Sequence, residues 1–346
     1  MKIEEFYIQR CLDLAKNGLG TTYPNPLVGS VIVYNDKIIG EGWHKKSGEP
    51  HAEVNAILSV KEPSLLSKST IYVSLEPCSH YGKTPPCCDL IIKHKIPKVV
   101  IGTIDPNSKV AGNGIKRLQE HGVEVTVGIL EKECLALNKR FFTFHTKKRP
   151  YIMLKWAESQ DGFMAPLYKE EKKPVWISNE FSRQWVHKWR SEEQAILVGT
   201  NTVIEDNPKL DVRDWSGKNP IRIVLDKTGK IPNDFAIKDN TTKTIIFTEG
   251  ENLIASENCI YENTIFDNEL TQSIINILYT YGIQSILIEG GKKTLQSFID
   301  ANFWDEARVF VGNIYLEKGL SAPKINKEFQ TKIVADDELK LYFNYD

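Results

Sequence analysis

His51-Ala52-Glu53 and the segment Pro77-Cys78-Ser79-His80-Tyr81-Gly82-Lys83-Thr84-Pro85-Pro86-Cys87 restrict this chain more than any other stretch of its 346 residues. One imidazole and two thiols are three ligands for a tetrahedral metal ion. To act together they require a fold that brings a helix start at His51 beside the turn that follows a strand at Thr70 to Ser74. Three protein ligands leave the fourth position to water, the arrangement of a catalytic rather than a closed structural zinc. Zn²⁺ lowers the pKa of such a water from 15.7 toward roughly 7. A helix N-terminus suits the ligands, because its free N–H groups stabilise thiolates. Cys88 competes with Cys87 for the third place. Cys87 stands directly after the Pro-Pro turn, and in a helix starting there Cys88 points about 100° away from it.

Glu53, two residues after His51, can reach a metal-bound water without coordinating the metal. It would carry a proton from water to a ring nitrogen and then to departing ammonia. His-x-Glu with Pro-Cys and a second Cys is the signature of zinc-dependent base deaminases. The other cysteines, Cys11, Cys134 and Cys259, are scattered, and six are too few for a disulfide framework. The amphipathic opening Met1 to Gly18 carries acids early and is no signal peptide, so the cytosol is the expected compartment. No run of 18 apolar residues offers a membrane span. Lys+Arg total 44 against 45 Asp+Glu, without the basic excess of proteins that grip nucleic acid. The expected partner is a small molecule.

The remaining pattern alternates strands with helices, which argues α/β layers with ligands at the carboxyl ends of the strands. In the first half, helices are expected at Ile3 to Asn17, Ala52 to Leu58, Cys87 to His94 and Gly114 to Glu120. Strands are expected at Val28 to Tyr34, Thr70 to Ser74, Lys98 to Ile101 and Val123 to Val127. One helical stretch then runs from Glu131 to His145 into a cationic run closed by Pro150, which forbids continuation. The domains are therefore placed at 1–146 and 147–346. The second half gives strands at Tyr151 to Trp156, Ala195 to Val198, Arg222 to Leu225, Thr244 to Thr248, Ser285 to Glu289, Arg308 to Val311 and Leu339 to Phe343. Its helices are expected at Asn179 to Trp189, Thr271 to Tyr281 and Thr294 to Asp300. Trp185, His187 and Trp189 read as core packing on the first of these. No Gly-x-Gly-x-x-Gly fingerprint or P-loop is present, and the local phosphate signal is the turn Gly290-Gly291 between a strand and a helix.

Asn25-Pro26-x-Val28-Gly29, Gly42-x-His44, His51-Ala52-Glu53 and the segment from Pro77 to Cys87 resemble the deaminase half of the bifunctional riboflavin-biosynthesis deaminase/reductases. The eight residues between Cys78 and Cys87 distinguish this family from cytidine and tRNA-adenosine deaminases, which usually have two there. The resemblance implies a cytidine-deaminase-like three-layer α/β/α domain with one Zn²⁺ per chain on His51, Cys78 and Cys87. It implies loss of the 2-amino group from a diaminopyrimidinone bearing a phosphoribosylamino chain, with Asn25, His44, His80, Lys83, Asp105 and Asn107 holding that substrate. Amide and carboxylate fit ring edges, and cations fit phosphate. His44 and His80 also read as structural histidines. Lys83 stands where the family often has Arg, losing the bidentate fork.

The likeness continues through Lys155-Trp156-Ala157-x-Ser159-x-Asp161-Gly162, Trp176-Ile177-Ser178, His187-x-Trp189-Arg190, the segment Gly199 to Arg213, Arg222-x-Val224-Leu225-Asp226 and Glu289-Gly290-Gly291. It implies a dihydrofolate-reductase-like α/β domain that uses NADPH to reduce the ribosyl chain to ribityl. Ala157, Trp176, Thr202, Asp206 and the segment Gly291, Lys292, Lys293, Thr294, Leu295, Gln296 and Ser297 are the implied cofactor residues. Arg190, Leu210, Arg213 and Glu289 would hold the phosphorylated substrate. Lys155 would polarise the open-chain carbonyl or imine, and otherwise reads as an ordinary snorkelling lysine. Gln160 and Pro174 depart from the family pattern. Self-association through the reductase half is also implied. Competing readings are a deaminase whose second half only dimerises, a nucleic-acid base editor, and a non-enzymatic zinc module; neutral charge and the long cysteine spacing oppose the second.

Overall fold

The structure is a computed structural model that describes residues 2–81, 85–106, 111–168, 175–251 and 253–345. Lys83, Asn107 and Pro174 lie outside the described residues. The chain divides into two compact units, Met1–Lys148 and Arg149–Asp346.

The first unit comprises α1 (Ile3–Ala15), β1 (Gly29–Tyr34), β2 (Lys37–Trp43), α2 (Ala52–Ser59), β3 (Thr70–Leu75), α3 (Cys87–Lys93), β4 (Lys98–Thr103), α4 (Asn113–Glu120), β5 (Glu124–Val127), α5 (Glu131–Leu137) and α6 (Lys139–Lys147). Its sheet has the order β2-β1-β3-β4-β5, with β1 antiparallel to both neighbours and β3, β4 and β5 parallel. Side chains alternate across a strand. Val31, Val33, Tyr72 and Val100 accordingly pack with α1 on one face, and Ile32, Ile71, Val73, Val99 and Ile101 with α2, α3 and α4 on the other. Burial on both faces makes three layers.

Two departures from the sequence reading have local causes. β2 was not expected, because Gly40 and Gly42 dilute its apolar signal. Both positions lie under α2, where a Cβ would come 2.6 Å from the Ala56 carbonyl oxygen or 2.4 Å from its nitrogen. The stretch Glu131 to His145 is two helices rather than one. The Asn138 amide exchanges 2.8 Å hydrogen bonds with the Leu27 backbone N–H and carbonyl, and the helix breaks where that buried side chain is drawn aside.

The second unit comprises β6 (Tyr151–Ser159), β7 (Phe163–Pro166), α7 (Glu180–Glu192), β8 (Ala195–Gly199), α8 (Thr200–Asp206), β9 (Ile221–Leu225), β10 (Thr244–Thr248), β11 (Cys259–Asn263), α9 (Leu270–Thr280), β12 (Ser285–Ile288), α10 (Lys292–Asp300), β13 (Glu306–Gly312), β14 (Gly319–Ser321), β15 (Phe329–Val334) and β16 (Asp337–Phe343). Nine strands run β11-β10-β9-β8-β12-β6-β13-β16-β15, parallel as far as β13, with β16 and β15 antiparallel; β7 and β14 form a separate ribbon. Chain connections leave β8 toward β9 and β12 toward β13, in opposite directions, so a crevice opens between β8 and β12 at their carboxyl ends. Gly290 makes this close approach possible: a Cβ there would lie 2.3 Å from the Val198 Cα.

The elements β7, α8, β11, β14 and β15 escaped the sequence reading. β11 and β15 are sheet edges, with β15 largely exposed, and α8 is a seven-residue helix in the β-branched sequence Thr-Asn-Thr-Val-Ile-Glu-Asp. The aromatic set on α7 is corrected as well. Trp189 is buried and stacks on Phe310, but Trp185 is 39% exposed, and His187 turns its ring to the loop at Asp211 and Asp214. Among the described residues no helix is long and apolar enough to cross a membrane.

Candidate active sites

His51 is the residue before α2, Cys78 follows β3, and Cys87 opens α3. The three ligand atoms lie within 4.8 Å of one another. His51 Nδ1 is 3.6 Å from Cys78 Sγ and 3.4 Å from Cys87 Sγ. With Zn–S near 2.3 Å and Zn–N near 2.05 Å, tetrahedral angles separate nitrogen from sulfur by about 3.6 Å. The donor set fits zinc. Hydrogen bonds to Cys78 from Cys87 outweigh burial and, with His51, pull the Cys78 thiol down to about 4, which favours the thiolate a metal needs. The Cys87 backbone N–H also donates to Cys78 Sγ, at 3.3 Å.

Glu53 lies in the first turn of α2, 3% exposed, with its carboxylate in hydrogen-bonding reach of Cys87. Burial pushes its pKa up to about 7. A cation in the adjacent donor set would draw it down again. His44 is buried with its ring edge-on to His51, centroids 5.4 Å apart. The Asn25 amide donates to His44 Nε2 at 3.0 Å and His44 Nδ1 donates to the Pro50 carbonyl at 3.2 Å, which sets one neutral tautomer. Burial lowers the pKa of His44 and keeps it neutral. Asn25 and His44 thus stand beside the ligands, whereas His80 is exposed.

Cys88 faces elsewhere. Its thiol donates to the carbonyls of Pro77 at 3.3 Å and Gly114 at 3.6 Å, and burial pushes its pKa up. Glu76 is a residue the sequence reading passed over. Buried just ahead of Pro77-Cys78, its carboxylate accepts backbone N–H bonds from Asp105 (3.3 Å), Gly112 (3.0 Å), Gly114 (2.9 Å) and Ile115 (3.3 Å). It ties the turn carrying Cys78 to the loop between β4 and α4, which carries Asp105. The carboxylate beside Pro-Cys was the available signal, but its partners are distant in sequence.

In the second unit a cleft of about 1020 Å³ opens over the carboxyl ends of β6, β8 and β12. Lys155, Ala157, Trp176, Arg190, Thr202, Asp206, Arg213, Glu289, Gly291 and Lys292 line it, all anticipated; Arg183, His187, Asn201 and Glu205 do so unanticipated. Glu289 accepts from Nε and Nη2 of Arg190 at 2.7 and 2.8 Å and faces Lys155 Nζ at 3.7 Å. Burial opposes the carboxylate charge, but Arg190 and Lys155 outweigh it and hold Glu289 down at about 2. Burial lowers the pKa of Lys155, and Glu289 only partly restores it. Other expected residues point away. Leu210 is buried in the core with Ile196 and Val203, as is Leu295 in the opposite core. Gln296 is bonded to Asp300 and the Lys324 backbone, and Ser297 to the Thr294 carbonyl. Thr294 packs toward Gly199, where a Cβ would lie 2.7 Å from its hydroxyl. Lys293 is not among the lining residues. Gln160 is exposed in a turn.

Residues 1–103 match the family model of the cytidine and deoxycytidylate deaminase zinc-binding region, and residues 150–320 that of the RibD C-terminal domain. The chain is 41% identical over 326 residues to the riboflavin biosynthesis protein RibD of Aquifex aeolicus (strain VF5), covering 92% of this chain and 90% of the relative. Identity to the Escherichia coli (strain K12) protein of that name is 35% over 325 residues, covering 89% and 87%. Among solved structures, the diaminohydroxyphosphoribosylaminopyrimidine deaminase/5-amino-6-(5-phosphoribosylamino)uracil reductase of Thermotoga maritima superposes with a TM-score of 0.89 at 37% identity over 98% of both chains. Acinetobacter baumannii RibD gives 0.86 at 32% identity over 99% of this chain and 98% of that one.

Proposed function

The chain belongs to the RibD family of riboflavin-biosynthesis proteins and is a bifunctional deaminase and reductase, and we propose that Met1–Lys148 performs the hydrolytic step and Arg149–Asp346 the reductive one. The proposed substrate is 2,5-diamino-6-(5-phosphoribosylamino)pyrimidin-4(3H)-one, deaminated to 5-amino-6-(5-phosphoribosylamino)uracil and then reduced to the ribitylamino compound. What carries the reading is that one chain holds both a convergent His51–Cys78–Cys87 donor set beside a buried carboxyl and a separate cleft centred on the Lys155–Glu289–Arg190 group.

His51, Cys78 and Cys87 would hold Zn²⁺, which supplies Lewis acidity that makes water a nucleophile at neutral pH. Glu53 takes one proton from the attacking water and gives it to the ring nitrogen, then passes the proton of the new C2 hydroxyl to the 2-amino group, so that C2 becomes a carbonyl and NH₃ departs. Its buried carboxyl is suited to give and to take. Asn25 is oriented by His44 toward a ring edge, and Asp105 is presented by the loop tied to Glu76.

Ala157, Trp176, Thr202, Asp206 and Gly291 would hold NADPH, the second proposed cofactor, whose chemistry when bound would be hydride donation to C1′ of the opened ribosyl chain. Lys155 presents its Nζ proton to the oxygen or nitrogen on C1′ as charge builds there. Its lowered pKa eases that donation, while Glu289 fixes the ammonium and the Arg190 fork. A second half used only for dimerisation is not favoured, since an interface does not require this buried charged group. The reading extends to a cytosolic enzyme that self-associates through its second unit and acts on small molecules rather than on nucleic acid or membrane.

Glu53→Gln should retain metal, lower ammonia release by roughly 10²–10⁴-fold and leave NADPH oxidation on the deaminated substrate intact. Lys155→Ala should do the reverse. A joint fall of both activities in either variant would refute the division of labour.

A further inference from the structure

Five cationic side chains line the reductase cleft: Lys155, Arg183, Arg190, Arg213 and Lys292. Lys155 and Arg190 are committed to Glu289, and Arg213 to Asp211 at 2.8 Å. Lys292 hydrogen-bonds the Ser321 hydroxyl. Arg183 is different. Among the described residues no carboxylate pairs with it, and its guanidinium instead lies over the indole of Trp176, 4.4 Å from the ring centroid. Trp176 is itself 53% exposed and on the cleft wall. An aromatic face holds a guanidinium flat without using its N–H donors, so the fork stays free for an anion.

Helical spacing says where that fork stands. Arg183, Val186, His187 and Arg190 all line the cleft, at i, i+3, i+4 and i+7 of α7, and so share one face. Seven residues of helix separate Arg183 from Arg190 by about 10.5 Å along the axis. Arg190 is bound up with the Lys155–Glu289 group, so Arg183 stands well away from the reacting carbon, along the direction in which a ligand extends. Both proposed ligands carry phosphate esters remote from their reacting carbons.

We propose that Arg183, held on the Trp176 indole, is a phosphate-binding residue of the reductase cleft. The proposal rests on the reading of the second unit as a reductase. Its chemistry is a planar fork, unpaired with any carboxylate among the described residues, that recognises a phosphate monoester or diester in two-point fashion. The source is one of three groups: the 2′-phosphate of the dinucleotide, its pyrophosphate, or the 5-phosphate of the sugar chain.

The test compares the wild-type chain with Arg183→Ala and Arg183→Lys. It measures dissociation constants for NADPH and NADH, and inhibition of NADPH oxidation by ribose 5-phosphate. Arg183→Ala should weaken one of these ligands roughly ten- to a hundredfold. Loss for NADPH alone assigns the 2′-phosphate, equal loss for both dinucleotides the pyrophosphate, and loss for ribose 5-phosphate the sugar phosphate. Arg183→Lys should recover only part, because an ammonium keeps the charge but neither the fork nor the flat stacking. Unchanged affinity for all three in Arg183→Ala would overturn the proposal, as would full recovery by Arg183→Lys. Failure of the wild-type chain to bind NADPH would instead refute the reductase reading. Thermal unfolding midpoints within about 2 °C of wild type show that the variants are folded.

Discussion

Cys87 and Cys88 are the same residue type one position apart, yet they meet different surroundings. Cys87 Sγ approaches His51 Nδ1, while Cys88 Sγ donates to two carbonyls behind the metal turn. Cys87→Ser should therefore abolish metal binding and reduce ammonia release by more than the roughly 10–100-fold that outer-shell changes cost. Cys88→Ser should keep about one metal per chain by elemental analysis; equal metal loss in both variants would contradict the assignment. Glu289 yields a pH prediction. Its folded pKa of about 2 lies below the ordinary 4.5, so its stabilising contribution is present above about pH 4.5 and disappears as pH falls through 2. Wild-type stability should fall over that window more steeply than that of Glu289→Gln, measured by denaturant unfolding between pH 5 and 2. Identical slopes would show that Arg190 and Lys155 do not hold its charge in solution.

Elements assemble the sites through backbone as much as side chains. The loop between β4 and α4, together with the first turn of α4, is drawn to the turn carrying Cys78 by four N–H bonds onto one carboxylate, Glu76. Glu76→Gln places an amide NH₂ among those donors, and charge-assisted bonds of this kind are worth about 1.5–3 kcal/mol each. The expected result is roughly a tenfold or greater rise in KM for the pyrimidine at unchanged metal content. Metal loss in parallel would mean that Glu76 serves the cysteine turn instead. Helix α2 and strand β3 were legible because their apolar periodicity is uninterrupted around the motifs they carry. Strand β2 and helix α8 were not: Gly40 and Gly42 erase one signal, and β-branched residues over seven positions blur the other. Arg183 and His187 escaped for a further reason. On α7 they sit among aromatic residues whose pattern suggests a core face, and only the neighbouring loops turn that face into a wall.

The chain folds as two compact units, and the proposed division gives each its own chemistry. A chelator should therefore stop ammonia release while NADPH oxidation on the deaminated substrate continues, and readdition of Zn²⁺ should restore the former. Simultaneous loss of both activities would place the metal's role beyond the first unit. The sequence reading put the division at 146/147, and compactness puts it at 148/149, where Lys148 adopts a left-handed conformation with φ of 55° after α6.

The motif residues by themselves singled out the donor set that converges, the carboxyl beside it and the α/β alternation, because donor chemistry and strand–helix periodicity are properties of short segments. Tertiary structure alone decided which expected residues line the cleft. Gly291 and Lys292 line the cleft, whereas Leu210 and Leu295 face the core and Lys293 does not line it. It also decided that Glu76 gathers a distant loop and that Arg183, among the described residues, is left without a carboxylate. Such facts depend on what lies opposite a side chain, and the neighbour across a groove is set by sheet order and helix packing rather than by adjacent residues.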